Sequence, residues 1–96
     1  MPQSSNHEGE IQASLIRFLT TDLQLAFTEL RTAEVESGSH PDHSRFALAK
    51  AREALKMIRR FESRIEDPGA AEEIQARADA LESALKRFQE NPGRTS

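Results

Sequence analysis

The stretch SGSHPDHSRF, Ser37 to Phe46, carries two of the chain's three histidines with an aspartate between them. It is either a metal or acid–base site or the reversal between two helices, and the fold follows from which. A catalytic zinc takes three protein ligands and a structural one four. His40, Asp42 and His43 lie too close along one turn to converge on an ion, and His7 is the only further histidine. Nothing in the spacing orients Ser39 or Ser44 into a Ser–His–acid relay. Pro41, by contrast, holds the residue before it extended and suits the first turn of a helix, which makes His40 the cap or the residue before it. Ser39 and Asp42 have the Ser-x-x-acid spacing of a capping arrangement. Gly38 stands where a helix end commonly takes a left-handed residue. The stretch reads as a hinge.

Outward from the hinge, both flanks have helical periodicity. Upstream, Ile11, Leu15, Ile16, Phe18, Leu19, Leu23, Leu25, Ala26, Phe27 and Leu30 recur at spacings of three and four without Gly or Pro between them, predicting a helix over about 10–37. Downstream, Ala47, Ala51, Ala54, Ile58, Phe61 and Ile65 predict a second over 41–66. Asp67-Pro68-Gly69 ends it and opens a third, with Asp67 as N-cap and Pro68 at the first helical position. That helix, 68–91, carries Ala71, Ile74, Ala78, Leu81, Leu85 and Phe88 in a heptad seam. Residues 1–8 and 92–96 read as disordered tails. With only short connections, successive helices should fold back on one another. The expected fold is all-α: one domain over 9–91, an antiparallel up-down-up three-helix bundle, with pairing into a larger bundle as a further step.

Composition narrows the function. The chain has 96 residues, 30 % charged, and a formal net charge of -3. Nucleic-acid binders usually carry a strongly basic domain, so nucleic acid is not the expected partner. With no cysteine, disulfides, thiol nucleophiles and cysteine-ligated zinc are excluded. The N-terminus MPQSSNHEGE has neither a basic region nor an apolar run, and no segment is apolar enough for a membrane span. A cytoplasmic protein without a cofactor or small-molecule substrate is expected. Thr20, Thr21 and Gln24, the few polar candidates for burial, do not suggest a catalytic cleft, so an enzyme is not expected.

Two surface features remain. In the second helix Arg52, Lys56, Arg60 and Arg64 form an i, i+4 row with Arg59 beside it. The row is either a solvated outer face or a docking ridge for an anionic partner. The second feature is an apolar surplus on the first helix. Counting Ile, Leu, Val, Phe and Met, the three helices hold ten, seven and four. A seam as narrow as that of the third helix cannot cover two wide faces. Ile11, Phe18 and Leu25 make a heptad-spaced row at one edge of the first helix, and leaving each in water would forfeit about 1.5–3 kcal/mol of burial. Either the second helix covers the row through Phe46, Leu48 or Met57, or a second copy or a partner's helix does. The function this favours is a small non-enzymatic helical protein–protein interaction module. The alternative is an anion-binding module that uses the basic row on an acidic protein or nucleic acid.

Overall fold

Three helices form where the apolar spacing runs unbroken: α1 spans Gln3–Glu36, α2 Pro41–Glu62 and α3 Pro68–Glu90. The computed structural model describes residues 3–90, with side chains from Gly9 to Gln89. No strand occurs among the described residues. The chain is an all-α three-helix bundle, in which each helix packs on both others. Residues 1–2 and 92–96 of the two expected tails lie outside the described residues.

α1 begins at Gln3 rather than near residue 10. The polar segment before Ile11 contains no proline after Pro2, and Gly9 costs a helix only about 1 kcal/mol relative to alanine. α2 stops at Glu62 instead of running on to 66. Two tight turns end it, with Arg64 N–H donating to the Phe61 carbonyl and Ile65 N–H to that of Glu62. Ile65, assigned from its spacing to the helix, sits in the connection and is still buried. Pro68 is the reason: the residue before it must leave helical geometry, and the chain needs several residues to reverse. Asp67 then caps α3, its Oδ2 accepting from Ala70 N–H at 2.8 Å, with Pro68 as the first helical residue, as the sequence predicts.

At the hinge, His40 is the N-cap of α2 and Pro41 its first residue. The cap makes no side-chain hydrogen bond, and Ser39 Oγ lies beside His40 Nδ1 at 3.2 Å rather than capping the helix. Gly38 does not adopt the left-handed conformation. The last carbonyls of α1 are satisfied otherwise: Ser37 Oγ donates to Glu34 O at 3.2 Å, Ser44 Oγ to Ala33 O at 2.7 Å, and His40 N–H to Glu36 O at 2.8 Å. These terminal carbonyls have no intrahelical partner of their own, so the two serines close α1 without a left-handed glycine.

The Ser44–Ala33 hydrogen bond also sets the α1–α2 register, which Glu29–Lys50 at 3.8 Å continues. At the far end Gln12 grips the α2–α3 connection with both halves of its amide. Its Nε2 donates to Arg64 O at 3.1 Å, and its Oε1 accepts from Glu66 N–H at 3.0 Å. Along this register Ala26 stands level with Ala51 and Leu19 with Ile58, so small faces small and large faces large. Leu19, Leu23, Ile58 and Leu81 are the largest fully buried side chains. None of the five phenylalanines belongs to the buried core; Phe61 and Phe88 are half-buried and Phe18, Phe27 and Phe46 are exposed.

Candidate protein interface

α1 makes contacts with its own bundle along one stripe: Leu19, Leu23, Ala26, Leu30 and Ala33 are buried, with Leu15 and Ile16 packed beside them. Rotated from that stripe toward α2 lies the row singled out in the sequence. Ile11 is 52 % exposed, Phe18 47 % and Leu25 55 %. α2 does not cover them. Leu48 turns into the core, while Phe46 at 60 % and Met57 at 41 % are exposed themselves. They add exposed apolar side chains on α2, while the seam beside Leu25 also carries Asp22, Glu29 and Lys50. Lys50 joins the surface from α2, its Nζ 4.9 Å from the centre of the Phe46 ring. A shallow depression on the seam, lined by Asp22, Leu25, Ala26, Glu29, Lys50 and Ala54, places Leu25 beside α2. Partial burial raises the pKa of the Asp22 carboxyl above its ordinary value.

The basic row does not behave as a unit. Arg59 points at α3, where its guanidinium donates to Asp79 Oδ1 at 2.6 Å and Glu82 Oε1 at 2.8 Å, and it also meets Glu62 at 3.2 Å. The bonds to Asp79 and Glu82 raise its pKa further above the ordinary arginine value. This side chain ties α2 to α3. Arg52 faces α3 as well: with the Gln89 amide turned to satisfy both groups, its oxygen accepts from Arg52 Nε at 2.8 Å. Arg60 and Arg64 flank the Phe61 ring at 5.9 and 4.9 Å. Lys56 is exposed beside Glu53 at 3.5 Å. Arg52, Lys56, Arg60 and Arg64 are all exposed, but only Lys56, Arg60 and Arg64 have no polar tie to another helix through their side chains among the described residues.

At the hinge, Glu36 stands between the two histidines, with His43 Nδ1 at 2.6 Å and His40 Nδ1 at 3.9 Å from its Oε1. Both rings are exposed, and no three His, Asp or Glu side chains gather as a metal requires among the described residues. Of the three polar residues expected to be buried, Thr20 is half-buried, whereas Thr21 and Gln24 are exposed because they lie off the buried stripe of α1. Two shallow grooves on the α1–α3 side share Arg77, which pairs with Glu73 at 3.0 Å. No helix of the described residues is long and apolar enough to cross a membrane.

Two arrangements escaped sequence reasoning. Gln12 occupies a position on the buried stripe where leucine would be expected, and that misplaced polarity was its only signal. The reach of Arg59 to Asp79 and Glu82 had none, since it joins residues twenty or more positions apart. The chain matches no family model, no curated protein and no solved structure at a significant level.

Proposed function

We propose that this bundle is a small non-enzymatic protein–protein interaction module that binds through the apolar surface spanning α1 and the adjoining edge of α2. The observation that carries this reading is the exposure of Ile11, Phe18 and Leu25 on α1, together with that of Phe46 and Met57 on the neighbouring α2. A surface of three heptad-spaced residues on one helix and two aromatic or thioether side chains on the next suits a partner helix laid along the seam. Large apolar patches of this kind mark binding sites more often than they occur by chance on monomers. The anion-binding alternative is weaker, because Arg59 and Arg52 are engaged with α3.

The test places a photo-cross-linking amino acid at Phe18 or at Met57, and as a control at Ala80 on the outer side of α3. The cytoplasm, the compartment proposed for the protein and one with which a cysteine-free chain is compatible, is the place to run it. Discrete adducts at positions 18 and 57, absent at 80, support the interface. Equal labelling at all three positions overturns it.

A further inference from the structure

We infer that the occupant of this surface is the α1 helix of a second copy, lying parallel and in register, an inference that rests on the interface reading above. α1 carries two seams. Beside the buried one runs a second with heptad spacing: Ile11, Phe18, Leu25 and Thr32 alternate with Ser14, Thr21, Thr28 and Val35. All but Thr32 are exposed, Val35 at 74 %. None of the eight is charged, in a chain of which 30 % of the residues are. A hydroxyl at this seam need not oppose contact, since Thr28 Oγ1 already donates to Gln24 O at 3.0 Å within its own helix.

Neutrality matters for a self-pairing helix. α1 holds six acidic residues against Arg17 and Arg31, so two copies repel unless the strip between them is uncharged and its flanks are complementary. Glu10, Arg17, Gln24 and Arg31 line one flank of the outer seam; Leu15, Asp22, Glu29 and Glu36 line the other. In a parallel pair each residue of the first flank meets the residue five further on in the other chain. Arg17 then faces Asp22 of the second copy, Arg31 faces Glu36 and Gln24 faces Glu29, with no like charges opposed. Antiparallel pairing instead lays the acidic flank against itself. Among the described residues Arg17, Arg31 and Asp22 make no ion pair within their own chain, so the Arg17–Asp22 pair is fully available, whereas Glu29 and Glu36 already meet Lys50 and His43 and would be shared. The seam from 11 to 35 is about 36 Å long, and two-fold closure uses it once from each copy.

The native chain has no cysteine, so introduced thiols report the geometry directly. The variants Ser14→Cys and Thr28→Cys are made separately, both at exposed positions, and oxidised mildly alone and as a mixture. Parallel, in-register pairing sets each position beside its own copy, so each variant alone forms a covalent dimer. The mixture yields no 14–28 disulfide, because those positions are about 21 Å apart along the helices, beyond disulfide reach. Light scattering on the unmodified chain should give the mass of two copies. Phe18→Glu should weaken association by roughly tenfold or more, because large apolar residues at an interface centre dominate its energy, while circular dichroism stays helical. A monomeric native chain, a dominant 14–28 disulfide, or a dimer in which neither variant cross-links would overturn parallel self-pairing. A monomer whose photo-cross-linker at position 18 still captures a different protein overturns this inference alone. A monomer with no adduct at 18 or 57 overturns the interface reading as well.

Discussion

Leu23 and Leu25 are two residues apart on the same helix and meet opposite fates: Leu23 is 1 % exposed and Leu25 55 %. They belong to the inner and outer seams of α1, which share a seven-residue repeat but not a neighbour. The inner seam is matched by small residues of α2 and by Ile74, Ala78, Leu81 and Leu85 of α3. The outer seam finds no such match because α2 directs Ala47, Ala51 and Ile58 to the core and leaves only Phe46 and Met57 near the edge. Apolar character therefore says that a seam wants cover. The geometry of the neighbours decides whether the chain supplies it.

The largest expected effect tests that contrast directly. Leu23→Ala should lower unfolding stability by roughly 2–5 kcal/mol, the usual result of opening a core cavity. Leu25→Ala, measured by urea unfolding at low protein concentration, should cost well under about 1 kcal/mol, as for surface sites generally. Equal losses would show that the outer seam is buried within one chain after all. Concentration must be fixed in both, because association adds to apparent stability by mass action.

Arg59→Ala comes next, and it probes why the narrow seam of α3 suffices. The guanidinium joins Glu62, Asp79 and Glu82, and its removal leaves three carboxylates facing each other between α2 and α3. A loss of about 1–3 kcal/mol by chemical denaturation is expected, shrinking as salt screens the partly exposed cluster. No loss would mean that Ile74, Leu81 and Leu85 hold α3 unaided.

Changing Arg52, Lys56, Arg60 and Arg64 together to Gln should move the melting temperature little, because the row is exposed and its like charges cost each other a few tenths of a kcal/mol at i, i+4 spacing. The Arg52–Gln89 contact is the one side-chain tie to another helix lost, beside the exposed Lys56–Glu53 pair and the Arg60 and Arg64 contacts with Phe61 within α2 and its end. Collapse of the helical signal would show that the row supports the packing of α3.

The smallest effect sits on the boundary between the two seams, at Asp22. Burial raises its folded pKa above the ordinary aspartate value, so the folded state holds its proton more tightly than the unfolded one. The associated stability is complete below the unfolded pKa and disappears as pH rises through the folded value. Asp22→Asn should thus make the single chain slightly more stable at neutral pH and leave it unchanged near pH 3. At high protein concentration the same substitution should weaken association, since it removes the group set against Arg17 of the second copy. Opposite signs at low and high concentration would sharpen the distinction between the seams; an identical effect at both would count against it.

The hinge illustrates how far local reading reaches. Pro41 and Asp67-Pro68 place two helix starts correctly because a proline's effect on its neighbours is confined to a residue or two. The end of α2 was not legible in the same way. Ile65 fits the helical repeat, and its burial is real, yet it belongs to the turn that the reversal into α3 requires. The same limit applies to the surface. The exposed row Ile11, Phe18 and Leu25 was visible as surplus, and Arg52, Lys56, Arg60 and Arg64 as an outer row. In the sequence Arg59 is indistinguishable from that row, because adjacency along the chain carries no information about Asp79 and Glu82 across the bundle.

Helix number, the cap residues at 40 and 67, the all-α class and the presence of unmatched apolar side chains on α1 were determined by the sequence itself, since periodicity and capping act over one or two turns. Only the tertiary structure decided that α1 buries its inner seam, that Gln12 holds the α2–α3 connection, and that Arg59 belongs to the bundle rather than to its surface. Each of those outcomes depends on which side chains meet across helices far apart in the chain, and the packing of three finite faces leaves one seam of α1 without a neighbour.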